Sequence, residues 1–162
     1  MDNKSKKFSG FDIEYTVKYV IQATLDDVVH ATEILDNLIP NHFSEESKYF
    51  IKLGVSEILT NIVIHGHICE KFGIITIFWK EQIDCLLLLI IDTGLPIPQN
   101  LLLRKNEQFF NFDNKDIKNL PVNGFGLGII KSIFNTVNYY SIDNINYMHL
   151  KINFSTKFEI KI

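Results

Sequence analysis

Three short segments of the chain carry side chains whose types and spacing could do chemistry together. In the first, Glu57, Asn61 and His65 follow one another at steps of four. At 3.6 residues per turn such steps keep side chains on one helix face, with a drift of about 40° per step. Phe50, Leu53 and Ile64 flank that polar arc, so a carboxylate and an amide sit between apolar neighbours, as on the floor of a site. Gly54 falls within the same arc, where the missing side chain leaves room for something to approach the helix. The second segment is Asp92-Thr93-Gly94-Leu95-Pro96, directly after an apolar run. A carboxylate at a strand end can accept a hydrogen bond from an amino group such as the exocyclic amine of adenine, and Gly94 lets the backbone pass close to a flat ligand. The third is Gly124-Phe125-Gly126-Leu127-Gly128, which opens a helical pattern. Glycines let backbone N–H groups turn toward phosphate oxygens, and a helix N-terminus favours anions. Each segment alone has an ordinary alternative: a solvated helix stripe, a strand-ending turn, a glycine kept for packing.

The elements that must position these segments are readable from periodicity. Residues 11–23 alternate loosely and are rich in β-branched and aromatic side chains, which predicts a strand. Thr24 is placed to cap a helix with Asp26 and Asp27 in its first turn, and Leu25, Val28, Val29, Ile34, Leu35 and Leu38 form its apolar stripe. Ser44 caps a second helix running to about Gly66, whose Ile51, Val55, Ile58, Leu59 and Ile62 must face a sheet. Strands follow at Ile74–Lys80 and Cys85–Asp92, apolar on both faces as expected of covered strands. Residues 93–123 hold three of the four prolines and much Asn, Asp and Lys, the composition of a long functional loop or lid with a short helix around 101–110. A helix from the glycine turn to about Thr136 and strands at Val137–Ile142, Tyr147–Phe154 and 157–162 complete the chain. This order predicts a two-layer α/β sandwich, a mixed sheet with helices on one face, in a single domain over residues 1–162.

Bulk properties exclude several classes. The net charge is -3 and the Lys and Arg residues are scattered, so no basic face is available for nucleic acid. Cys69 and Cys85 are far apart and form no C-x-x-C pair, which argues against a disulfide framework or zinc site and fits a reducing cytosol. The polar N-terminus has no secretion signal, and the apolar run Leu86–Ile91 is far shorter than the ~20 residues of a membrane span. The glycine run sits late in the chain without a βαβ unit, unlike a Rossmann fingerprint, and no Walker A lysine motif exists. His30, His42, His67 and His149 show no metal-ligand spacing.

Taken in order, E-x-x-x-N-x-x-x-H on a helix, D-x-G-x-P after a strand and G-x-G-L-G-I before a helix resemble the N, G1 and G2 boxes of the GHKL (histidine kinase-like, Bergerat-fold) ATPases. The stretches GVSEILTNIVIHGH, IDTGLPIP and NGFGLGIIKSIFNTVNYYSIDNINYMHLKI are similar to the anti-sigma factor serine/threonine kinases of that superfamily. The similarity runs from about residue 12 to 154, with the lid at about 93–123.

The resemblance implies a set of roles. Asn61 would bind the Mg2+ that bridges the ATP phosphates, and Glu57 would be the general base for an attacking hydroxyl. Asp92 would read adenine, Gly94 would shape its pocket, and Gly124, Gly126 and Gly128 would wrap the phosphates. His65 matches a frequent N-box histidine and receives no chemistry. The residue between the first two glycines is often basic in the family and is Phe125 here, so Lys105, Lys115 or Lys118 of the lid is left to supply phosphate charge. The activity implied is ATP-dependent phosphorylation of a serine or threonine on an anti-sigma factor antagonist, with sequestration of a sigma factor and a homodimer as the family's assembly. The alternative is a non-catalytic nucleotide-binding partner-switch module. The chain lacks room for the helical hairpin that carries the phosphorylated histidine of sensor kinases.

Overall fold

The computed structural model describes residues 17–67, 73–102 and 126–155. Five strands form one sheet in the order β1-β2-β3-β5-β4: β1 (Val17–Gln22), β2 (Ile74–Glu81), β3 (Cys85–Asp92), β4 (Thr136–Ile142) and β5 (Ile145–Asn153). The helices are α1 (Leu25–Asp36), α2 (Glu45–Asn61), the short α3 (Gln99–Leu102) and α4 (Gly126–Ile133). The expected two-layer sandwich is what forms. All four strand ladders among the described residues are antiparallel, so the sheet holds none of the parallel pairing that a mixed sheet implies. The connections explain this. An α1–α2 pair between β1 and β2 returns the chain to the end from which it came. β3 and β4 run in the same direction, but β5 inserts between them and opposes both.

Both predicted helix caps are in place. The Thr24 and Ser44 hydroxyls accept hydrogen bonds from the backbone N–H groups of Asp27 and Ser47, both at 3.1 Å, satisfying donors that the first helical turn cannot pair. The core-facing set of α2 is as read: Ile51, Val55, Ile58, Leu59 and Ile62 are buried. The buried face of α1 is narrower than its predicted apolar stripe. Val28, Ala31, Thr32 and Leu35 make the buried face at strict helical spacing, while Leu25, Val29 and Ile34 lie outside that arc and are exposed.

The helical layer packs on the sheet face carrying Ile75, Ile77, Trp79, Leu88, Ile90 and Leu150. The alternate residues Phe78, Leu87, Leu89 and Ile91 point to the opposite face and are half-buried, so β2 and β3 are fully covered on one side. Gly54 does not admit a ligand. A Cβ there would stand 2.8 Å from the Phe134 ring and 3.1 Å from Ile133, so the missing side chain lets the end of α4 lie against α2.

β4 and β5 are joined by a two-residue turn in which Asp143 and Asn144 have φ of 53° and 60°. Positive φ at both central residues is the tight hairpin geometry whose twist matches the strands, and Asp and Asn tolerate it better than most residues. That turn fixes Ile142 opposite Ile145 and Ser141 opposite Asn146, while the β3–β5 ladder sets Asn146 opposite Asp92. No helix among the described residues is long and apolar enough to cross a membrane. The predicted strand at 157–162 and most of the predicted lid, from residue 103 onward, lie outside the described residues.

Candidate functional site

Regular α-helix ends at Asn61, and Ile62–Gly66 continue as a single π-helical turn. The sequence pattern predicted helix to Gly66 without distinguishing this widened turn, which is a frequent feature of functional sites. It brings His65 and Gly66, with Asn61, to the wall of a cavity of about 470 Å³. Asp92, Met148 and Gly126 contribute from β3, β5 and the start of α4. Leu95, Pro96 and Ile97 form the rim after β3, and Lys131 Nζ on α4 donates to the Leu102 carbonyl at 2.7 Å, tethering α3.

The three predicted segments therefore converge, with distinct placements. Asn61, Asp92 and Gly126 line the cavity. Gly126 lies against both polar N-box side chains: a Cβ there would be 2.7 Å from Asn61 Nδ2 and 3.0 Å from Glu57 Oε2. The absence of a side chain thus lets the start of α4 approach a carboxylate and an amide directly. Gly94 is buried behind the cavity wall, and Gly128 is buried within α4. Gly124 lies outside the described residues, as do Phe125, Lys105, Lys115 and Lys118.

Gly94 is fixed by backbone. The Leu95 N–H donates to the Gly66 carbonyl at 2.8 Å, and a Cβ on Gly94 would come within 2.8 Å of that same carbonyl group. The loop after β3 is thereby clamped to the end of the π turn, and the Asp92 segment is held at a fixed distance from Asn61.

Asp92 is buried, and its side chain accepts two hydrogen bonds on Oδ1, from the Gly94 N–H at 2.8 Å and from Asn146 Nδ2 at 2.9 Å. Burial pushes its carboxyl above the ordinary range, and the bonds from Asn146 and Gly94 draw it partly back. The buried His67 ring places Nε2 3.8 Å from the same oxygen, so this histidine packs beside the carboxylate. Asn146 and Tyr139 were missed in the sequence. Asn146 reads locally as the residue after a turn, and only the β3–β5 register reveals that it faces Asp92. Among the other histidines, His30 Nδ1 bonds to the Asp26 carbonyl at 2.8 Å, His42 stacks on Phe43, and His149 pairs with the Tyr140 hydroxyl at 2.9 Å.

A cavity with an apolar wall, one buried carboxylate at a strand end and a glycine-started helix opposite an amide and a carboxylate suits a flat heterocycle joined to an anionic tail. The sequence pattern of the histidine kinase-like ATPase domain matches residues 21–151, most of the chain. The chain belongs to the histidine kinase-like ATPase domain family. Within that family it is 34% identical over 99 residues to the serine-protein kinase RsbW of Bacillus cereus, an alignment covering 61% of this chain and 55% of the relative. It is 31% identical over 107 residues to the serine-protein kinase RsbW of Bacillus mycoides, covering 66% and 60%. The chain thus spans little more than half the length of the curated relatives it matches. In shape, this histidine kinase-like ATPase domain is similar to the histidine kinase domain of the Erythrobacter litoralis EL346 blue-light activated histidine kinase. The TM-score is 0.51 at 16% identity over 81% of this chain and 59% of the other, a likeness of fold.

Proposed function

We propose that this chain binds ATP in the cavity described and transfers its γ-phosphoryl group to a serine or threonine of a partner protein. The partner proposed is an anti-sigma factor antagonist, and the same chain would sequester a sigma factor through its surface. The observation that carries the chemistry is the convergence of Asn61, Asp92 and Gly126 on one cavity, with Glu57 against Gly126. The choice of partners rests on the resemblance of the three boxes to anti-sigma factor kinases and on relatives named serine-protein kinases.

In this reading Asp92 accepts a hydrogen bond from the adenine amine, and Gly94 keeps the loop close enough for the base to lie flat. The start of α4 at Gly126 presents backbone N–H groups to the phosphates, with Gly128 in the same first turn and Gly124 preceding it in the sequence. Magnesium fits the donor set: it is a hard cation that takes oxygen ligands and keeps substrate phosphates among them, and Asn61 brings an amide oxygen to the cavity wall beside Gly126. Asn61 Oδ1 is the oxygen available, and the ion would neutralise phosphate charge. Glu57 takes the proton of the attacking hydroxyl as its oxygen bonds to Pγ and the bond from Pγ to the β–γ bridging oxygen breaks, giving phosphoprotein and ADP.

The test is phosphate incorporation into a co-purified or genomically neighbouring antagonist. Glu57→Gln is expected to retain ATP affinity and lose transfer, because a base contributes little to holding nucleotide. Asn61→Ala is expected to lose magnesium-dependent affinity and transfer together. Wild-type protein that binds a partner tightly and transfers no phosphate to it would instead be a non-catalytic partner-switch module.

A further inference from the structure

We infer that Asn146, held by Tyr139, is a positioning residue that sets the purine selectivity of the Asp92 carboxylate. The inference rests on the reading of the cavity as an adenine-nucleotide site. It concerns two side chains that lie outside the three boxes at 57–65, 92–96 and 124–129.

The geometry is a relay of four hydrogen bonds. The Ile97 N–H donates to the Tyr139 hydroxyl at 2.9 Å, and that hydroxyl donates to Asn146 Oδ1 at 2.9 Å. Asn146 Nδ2 then donates twice, to Asp92 Oδ1 at 2.9 Å and to the Gly94 carbonyl at 2.8 Å. Asn146 is 2% exposed, and its amide oxygen and nitrogen are both bonded within the protein. Its orientation is fixed by the donor and acceptor inventory: reversed, its oxygen would face a carboxylate and a carbonyl, and three acceptors would meet without a proton.

The consequence falls on Asp92. One amide holds both the carboxylate and the Gly94 carbonyl two residues on, so the strand end and the glycine turn move as one piece. With Oδ1 occupied by Asn146 and the Gly94 N–H, Oδ2 is the oxygen left for a ligand. A carboxylate presented by Oδ2 accepts from a 6-amino group and repels the 6-oxo group of hypoxanthine or guanine. Without Asn146 the carboxylate is free to rotate or to take up a proton, and either change erodes that discrimination. Tyr139 also ties the relay to Ile97 on the cavity rim, so the rim and the base-reading carboxylate share one network.

The experiment compares ATP and ITP binding, which differ at the amino group, in wild type, Asn146→Leu, Asn146→Thr and Tyr139→Phe, with melting temperatures measured alongside. Asn146→Leu keeps the volume and removes the donors. It is expected to weaken ATP about tenfold or more while leaving ITP nearly unchanged, the loss typical of one hydrogen bond to a charged group. Asn146→Thr, which keeps a hydroxyl donor, should recover part of the ATP-to-ITP ratio. Tyr139→Phe removes one oxygen from the half-buried side chain and is expected to lower the ratio in the same direction by a smaller factor, even if Asn146→Leu folds poorly. A fall of ATP and ITP by the same factor in these variants, or an unchanged ratio, overturns the inference and leaves the nucleotide site standing. Wild-type protein that binds no ATP overturns both.

Discussion

Gly94 lies against the backbone of Gly66, and the contact is asymmetric. A Cβ on Gly94 would stand 2.8 Å from the Gly66 carbonyl group, whereas a Cβ on Gly66 would meet nothing closer than Gly94 Cα at 3.6 Å. Backbone cannot rotate aside as a flexible side chain does. Gly94→Ala is therefore expected to lower stability by about 1–3 kcal/mol, the usual range for overpacking a filled site. Gly66→Ala should stay within about 0.5 kcal/mol of wild type, as ordinary contacts allow. Denaturant unfolding of the two variants checks the pair, and equal losses would show that the loop and the π turn are not clamped as described.

Gly54 gives a second packing test. Its hypothetical Cβ overlaps the ring of Phe134, which is 4% exposed and has little space to move. Gly54→Ala should destabilise by about 1–2 kcal/mol, despite the ~1 kcal/mol that alanine gains over glycine inside a helix. Adding Phe134→Leu should relieve the clash, so the double variant is expected to lose at least ~0.5 kcal/mol less than the two single losses together. Additive losses would place α4 farther from α2 than the structure has it.

Asp92 predicts a pH dependence with a definite sign. Burial raises its folded pKa above the ordinary 3.8, opposed in part by Asn146 and the Gly94 N–H, with His67 and Tyr139 as the titratable neighbours. Between those two pKa values the folded chain binds more protons than the unfolded one, so Asp92's contribution to stability declines as pH rises through that window. Asp92→Asn keeps an oxygen for the Gly94 and Asn146 donors and removes the buried charge. In the absence of nucleotide it is expected to melt higher than wild type near neutral pH, with the gap closing as pH falls toward the ordinary carboxylate value. Thermal melts across pH decide this, and a gap that widens in acid would contradict it.

Much of this architecture is legible in the chain because it is local. Thr24 and Ser44 announce their helices by a hydroxyl followed by acidic residues, and the Cys85–Asp92 run has the length and composition of a buried strand. Glu57 and Asn61 stand out because helical spacing puts them on one face between apolar neighbours. What the sequence conceals is what pairing creates. Asn146 and Asp92 are far apart along the chain and meet only because β5 inserts between β3 and β4. Gly54 looks like an opening until α4 is known to cross there, and the Ile62–Gly66 turn keeps a helical hydrophobic pattern while its hydrogen bonding widens.

The central claim is that Asp92 reads adenine in this cavity while Asn61 supports magnesium-dependent phosphate binding. Calorimetric titration of wild type, Asp92→Ala and Asn61→Ala with ATP, each with and without magnesium, tests it most directly. The expected result is saturable binding by wild type that weakens when magnesium is withdrawn. Asp92→Ala should lose about tenfold to a hundredfold in affinity, since the adenine amine is left unpaired in a buried pocket, and Asn61→Ala should lose the magnesium dependence. No binding by wild type at millimolar ATP, or an Asp92→Ala variant that binds as tightly as wild type, would contradict the account.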